Sequence, residues 1–287
     1  MEKSNYTQER IYVTSNENLK QIFESLDKPA KKVLTVGSSK DQFYNAIFYG
    51  ADFVTIADNS RYTKPFGDLK DSCINTLDYK DFINFIYDVP EFIDKENDLY
   101  LKAYENIDPT SKDFWKIDYE QNKEYIARII DVDVDLEGSR FYQSEKSYNK
   151  LKEILKKNQF KSNLIQADLT EFPKLVDEKY DLILLSNVDD YFIDKTNGQK
   201  IYAFVDAVRN LYEHNLNEDG VIQITSSMNK NNKPKTEFYN SIKNLFNGGE
   251  FFTVNGSGLY SNYGSSNVSL FVKKAQKTFL KEDEIEK

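Results

Sequence analysis

The chain has 287 residues, a formal net charge of -9, one cysteine and one histidine. The acidity counts against a nonspecific polyanion binder, and so against nucleic acid as partner. Cys73 alone excludes an internal disulfide and reads as a buried helix residue, and Cys73 with His214 leaves too few soft ligands for a zinc centre, so no metal site is expected. Met1 to Arg10 is polar and no apolar run approaches the length of a membrane span, so neither a signal peptide nor a transmembrane segment is expected, and the expected compartment is the cytosol. The enrichment in Lys, Asn, Ile and Tyr fits an AT-rich genome, such as a bacterial one.

In chain order, the first clear element is an apolar strand over Val33, Leu34 and Val36, which runs into the turn Gly37-Ser38-Ser39. A helix with Phe43, Ala46 and Ile47 on one face follows, then a second strand, Phe53 to Ala57, ending at Asp58. A further helix covers Gly67 to Leu77. The segment 78–137 carries aromatic helical patterns over Tyr79 to Tyr87 and Asp113 to Ile130. A structureless loop of that length does not suit a compact domain, so it reads as a helical insertion or lid. The Asp131-Val-Asp-Val-Asp135 alternation lacks the glycine and distal glutamate of a calcium loop and reads as an exposed acidic edge.

Tyr148, Leu151, Ile154 and Leu155 mark a helix leading to the strand Asn163 to Ala167, which ends at Asp168. Lys179 to Asn187 is a continuous apolar run that suits the centre of a parallel sheet, beside the first strand. A helix spans Gln199 to His214, where His214 reads as satisfying terminal carbonyls. The turn Asn217 to Gly220 then opens the strand Val221 to Thr225, a short helix carries Ile242, Leu245 and Phe246, and Glu250 to Val254 with Asn267 to Val272 read as an antiparallel pair. The residues 273–287 read as a charged tail. The pattern predicts an α/β fold: a Rossmann-like, doubly wound, seven-stranded, mostly parallel sheet with a terminal antiparallel hairpin, formed by 1–77 and 138–287, with the helical insertion at 78–137.

The distance of about twenty residues from Gly37 to Asp58 matches that between a nucleotide-binding turn and the carboxylate that meets a ribose hydroxyl. The ligand expected is an adenosine-containing cofactor. A diphosphate needs several glycines for close backbone approach, and here Ser38, Ser39 and Asp41 crowd the turn, which disfavours a dinucleotide. S-adenosylmethionine has no phosphates, and an acid in the turn suits its positively charged amino-acid end.

The order Val33 to Gly37, Asp58, Asp168, Tyr180-Asp-Leu-Ile-Leu-Leu-Ser-Asn187, Asp219-Gly220 and the final strand pair resembles the class I S-adenosylmethionine-dependent methyltransferases, over most of the chain outside the insertion. More narrowly, Val33 to Gln42, Asp68 to Phe85 and Leu185 to Tyr191 are similar to bacterial relatives of the 3-amino-3-carboxypropyl transferases of betaine-lipid synthesis. The resemblance implies that Gly37, Ser38 and Ser39, with Asp41, approach the methionine part of the cofactor. It implies that Asp58, followed by Asn59, accepts from the ribose hydroxyls, and that Asp168 with Leu169 borders the adenine. Ser186 would lie beside the cofactor, and Asn187, Asp190 and Tyr191 are the catalytic candidates it implies.

Turn formation by Asp58 and Asp168 is the plainer role for each carboxylate, and their joint placement favours binding. The readings left open are methyl transfer from S-adenosylmethionine to a small-molecule or lipid-like acceptor, 3-amino-3-carboxypropyl transfer from the same cofactor, a noncatalytic interaction module, and a nicotinamide-dependent oxidoreductase, which the crowded turn opposes. Neither the acceptor nor the oligomeric state is legible.

Overall fold

The computed structural model describes residues 10–37, 39–94, 96–115, 129–131, 134–188, 198–229, 250–256 and 265–274. In chain order the strands are β1 (Ile11–Tyr12), β2 (Lys32–Val36), β3 (Phe53–Asp58), β4 (Ile130–Asp131), β5 (Lys161–Gln166), β6 (Tyr180–Leu184), β7 (Leu216–Asn229), β8 (Glu250–Gly256) and β9 (Ser265–Lys273). The helices used below are α1 (Leu19–Glu24), α2 (Asp41–Phe48), α3 (Thr63–Thr76), α4 (Tyr79–Tyr87), α5 (Val89–Phe92), α6 (Asp98–Glu105), α7 (Glu145–Lys157), α8 (Phe172–Leu175) and α9 (Gly198–Asn210).

The main sheet has the order β5-β3-β2-β6-β7-β9-β8. Neighbours are parallel from β5 to β7, and β9 runs antiparallel to both β7 and β8. The chain enters at β2, steps outward through β3 to β5, then returns to β6 on the other side of β2. The direction of winding therefore reverses between β2 and β6, and a doubly wound sheet leaves a crevice at the carboxyl ends of its strands there. This is the Rossmann-like α/β architecture that the element order implies, with β6 pairing β2 through Val33↔Leu182 to Thr35↔Leu184.

Alternation along each strand divides the apolar side chains between two cores. Val33, Leu182 and Leu184 join a cluster with α2, α3 and the insertion helices, whereas Leu34, Val36, Ile183 and Leu185 join one with α8, α9 and Ile222. The apolar run Leu182 to Leu185 at β6 is thus the sum of two buried faces. Tyr180 donates its hydroxyl to Thr55 Oγ1 at 2.9 Å, which satisfies a buried phenol at the sheet centre.

The described part of the insertion belongs to the first of these cores. Asp78 caps α4 by accepting from the Asp81 N–H at 2.8 Å, and Phe82, Phe85 and Ile86 face inward at helical spacing. Ser72 on α3 donates to the Ala103 carbonyl of α6, and Trp115, fully buried, donates its indole N–H to the Pro65 carbonyl at 3.0 Å. Tyr148 on α7 donates to the Ile74 and Leu77 carbonyls at the end of α3. The helix read from Asp113 onward is described only to Trp115, and the helix read around Ile242 lies outside the described residues, as does the tail beyond Lys274.

Two features depart from the sequence reading. The residues after Arg10 form β1, which pairs in parallel with β4 through Ile11↔Ile130 and Tyr12↔Asp131, and then cross the carboxyl end of the sheet. A Cβ on Gly138 would lie 2.2 Å from the Glu17 carbonyl, so a glycine is required where this strap passes. The acidic alternation is also not exposed at Asp135. Asp131 lies in β4, and Asp135 is buried, accepting from the Glu137 and Gly138 N–H groups while its own N–H donates to Thr14 Oγ1.

Candidate active site

At the switch point lies a cavity of about 340 Å³. Its floor comes from the ends of four neighbouring strands: Val36 of β2, Ala57 and Asp58 of β3, Ala167 and Asp168 after β5, and Ser186 and Asn187 after β6. The strap, through Arg10, Tyr12 and Thr14 to Asn16, forms one wall, and Tyr62, Phe66 and Phe172 supply apolar surface. A cleft that combines this apolar surface with as much polar surface, from Asp58, Asp168, Gln42 and Asn187 among others, suits a small organic ligand with polar groups.

The two strand-end carboxylates make turns and line the cavity at once. Asp58 Oδ1 accepts from the Ser60 N–H at 2.8 Å. Asp168 caps the turn Leu169–Glu171, with both the Thr170 N–H at 3.0 Å and the Thr170 hydroxyl at 2.8 Å donating to its Oδ1. The turn bonds of Asp168 thus use one oxygen, and Asx-type turns fix the side chain toward the strand end rather than competing with a ligand. Asn59 and Leu169 also line the cavity.

Gly37 serves packing. A Cβ there would come within 2.4 Å of Thr63 Cγ2 and 2.8 Å of Asp58 Oδ2, so the missing side chain is what lets β3 and α3 close against the end of β2. Gly37, Ser38, Ser39 and Asp41 are the residues expected to approach the methionine part of the cofactor. Ser39 and Asp41 are fully buried and, like Gly37, do not line the cavity; Ser38 lies outside the described residues. Asp41 pairs with Lys70, itself fully buried, at 2.6 Å, and also accepts from the Tyr142 hydroxyl at 2.9 Å and the Ser15 N–H at 2.8 Å.

Lys70 completes its donations at the Val13 and Ser39 carbonyls, at 2.8 and 3.0 Å. Burial pulls the Lys70 ammonium below its ordinary pKa, and the adjacent Asp41 charge opposes that shift. Burial, followed by the Asp41 charge, holds the Tyr142 phenol well above its usual range. This network ties the strap, the turn after β2 and α3 into one unit. With Asp41 at the first position of α2, a helix start of the kind that receives phosphate already holds a carboxylate.

At the end of β6, Ser186 adopts a left-handed backbone with φ 53°, a conformation uncommon for a residue with a Cβ. It is held there by the Thr225 N–H, which donates to the Ser186 carbonyl at 2.8 Å. The bend places Ser186 and Asn187 on the cavity, with the Ser186 hydroxyl donating to Asn187 Oδ1 at 3.3 Å. Asp190 and Tyr191, the other catalytic candidates, lie outside the described residues. His214 is exposed, with Nε2 3.8 Å from Glu213, and takes no part in the cavity. Among the described residues no cluster of His, Cys, Asp and Glu is arranged to hold a metal, and no helix is long and apolar enough to cross a membrane.

The sequence reading missed the strap, Gln42 and Tyr62. Residues 10–16 show neither helical nor alternating periodicity, and their role depends on pairing with β4 far along the chain.

No protein-family model matches the chain, and no curated protein matches it in sequence. Among solved structures it is similar to the N-methyltransferase NodS from Bradyrhizobium japonicum WM9 in complex with S-adenosyl-L-homocysteine, at 11% identity over 90% of this chain and 84% of that one, with a TM-score of 0.43. It is similar to magnesium protoporphyrin IX methyltransferase from Synechocystis PCC 6803 with bound S-adenosylmethionine, at 10% identity over 91% and 79% of the two chains, TM-score 0.45. The methyltransferase domain of bacterial CtHen1 is similar at 12% identity over 91% and 98%, TM-score 0.44.

Proposed function

We propose that the chain is an S-adenosylmethionine-dependent methyltransferase acting on a small-molecule or lipid-like acceptor. The observation that supports this reading best is the joint placement of Asp58 and Asp168. They stand at the ends of the adjacent parallel strands β3 and β5, both on one cavity, beside a turn whose helix already starts with the carboxylate of Asp41. Such a pair suits a nucleoside: Asp58 for the ribose hydroxyls, and Asp168 with Leu169 for the adenine edge. The start of α2, where a pyrophosphate would be received, is instead filled by the buried Asp41–Lys70 pair, which argues against a dinucleotide.

When bound, S-adenosylmethionine supplies an activated methyl carbon on its sulfonium, so the protein's tasks are to orient, to exclude water and to guide a proton. Asn187, held by the bend at Ser186, is in position to orient the acceptor. Asp190 and Tyr191 follow in sequence as the candidate proton acceptors. The strap closes one side of the cavity against water.

Calorimetric titration with S-adenosylmethionine tests the reading. Saturable binding is expected, weakened at least about tenfold in Asp58→Ala, the scale of losing hydrogen bonds to a charged group. Absence of binding at millimolar cofactor in the folded wild-type protein would overturn it. Product analysis then decides the group transferred, since methyl transfer leaves S-adenosylhomocysteine and aminocarboxypropyl transfer leaves methylthioadenosine.

A further inference from the structure

Glu17 and Gln42 are buried polar groups that the chemistry above leaves unused. Glu17 sits on the strap, 1% exposed, and its carboxylate accepts from Gln42 Nε2 at 3.0 Å, from Ser15 Oγ at 3.4 Å, and from Gln223 and Thr225 of β7. Among the described residues it forms no ion pair. Gln42 lines the cavity and is equally buried. Its bond to a carboxylate fixes the amide, because only the nitrogen end donates. The other end, Oε1, has no hydrogen-bond partner among the described residues.

A buried carbonyl with nothing to accept from, next to a buried carboxylate without a counter-cation, lacks one thing: a positively charged donor. We propose that Gln42 Oε1, backed by Glu17, forms a subsite for a primary ammonium group of the ligand. A single N–H donation to Oε1 would satisfy the amide, and the cation would offset the Glu17 charge behind it. Gln42 belongs to the helix after β2 while Glu17 is tied to β7, so the subsite spans β6, where Asn187 enters the cavity. An ammonium can arrive there from the amino-acid end of the cofactor or from an acceptor amine. This inference rests on the cofactor reading above.

The test compares S-adenosylhomocysteine, which carries the ammonium, with 5′-methylthioadenosine, which keeps the nucleoside and lacks it. Both are titrated by calorimetry into wild type, Gln42→Met and Glu17→Gln, with melts to confirm folding; if Gln42→Met fails to fold, Glu17→Gln decides between the outcomes. A loss of at least about tenfold for S-adenosylhomocysteine, with methylthioadenosine unchanged, supports the subsite with the cofactor as source. If neither nucleoside is affected, saturation-transfer NMR with ethanolamine and 1,4-diaminobutane is run on protein saturated with S-adenosylhomocysteine. Binding to wild type that is lost in the variants supports the subsite with an acceptor amine as source. Equal weakening of both nucleosides, or no effect on any probe in folded variants, overturns the subsite and leaves the cofactor reading standing. Failure of both nucleosides to bind wild type overturns the two together.

Discussion

Gly37 illustrates how a residue legible in sequence is used for a reason the sequence conceals. Its place in the turn after β2 is readable from the apolar run before it, but the constraint comes from Asp58 and Thr63, which occupy the space of a Cβ. Gly37→Ala is expected to cost about 1–3 kcal/mol by overpacking and to weaken nucleoside binding by displacing Asp58, measured by urea unfolding and calorimetry. Unchanged affinity would show that Asp58 is not held by this contact. Asp41 gives the complementary lesson: an acid in a nucleotide-binding turn reads as a ligand group, and only the packing of Lys70, Tyr142 and Ser15 around it makes it structural. Removing one partner of such a pair leaves a buried lone charge, so Lys70→Met is expected to destabilise by about 3–5 kcal/mol. The double variant with Asp41→Asn should recover part of that loss. A double variant no more stable than the single would refute the charge explanation.

At the level of helices and strands, periodicity carried the reading wherever an element buries one regular face. Phe82, Phe85 and Ile86 mark α4 at helical spacing, and the apolar run through β6 marks a strand buried on both sides. Elements that exist only by pairing were not legible. β1 and β4 are two residues each, too short to carry a period, and they depend on a contact between Ile11 and Ile130. β7 begins at Leu216 and takes in Asn217 to Gly220, the segment read as a turn, with a register shift opposite Tyr180 to Leu182 and a left-handed Asp219. The insertion is legible as helical, but its attachment is not: Trp115 reaches back to Pro65 on α3, the helix that brings Thr63 and Phe66 to the cavity. Trp115→Ala is expected to cost about 3–5 kcal/mol through the cavity it leaves, visible as a lower urea midpoint. It should also weaken cofactor binding through α3, and an affinity equal to wild type would separate the insertion from the site.

Across the molecule, buried phenols set the response to alkali. Tyr44 and Tyr142 have pKa values raised well above 10.0, first by burial and then by the carboxylates of Asp71 and Asp41 respectively. Unfolded, they ionise near 10, so their contribution is fully present below that pH and is lost as pH rises above it. Lys70 works in the opposite sense, since its folded value is lowered, but its gain ends near 10.5 while the tyrosine loss continues. Melting temperatures from pH 8 to 11 are expected to fall above about 10, with a shallower fall in Tyr142→Phe; an unchanged slope in that variant would remove Tyr142 from the account. Hydrophobic periodicity and turn chemistry are local and survive in one dimension, so the linear chain alone specifies the order of the strands and helices that carry a period, the doubly wound sheet and the strand-end acids Asp58 and Asp168. Burial and charge pairing depend on residues brought together from distant parts of the chain. Folding in three dimensions is therefore what makes Asp41 an ion-pair partner, sets the strap as a wall of the cavity, and brings Glu17 within hydrogen-bond reach of Gln42.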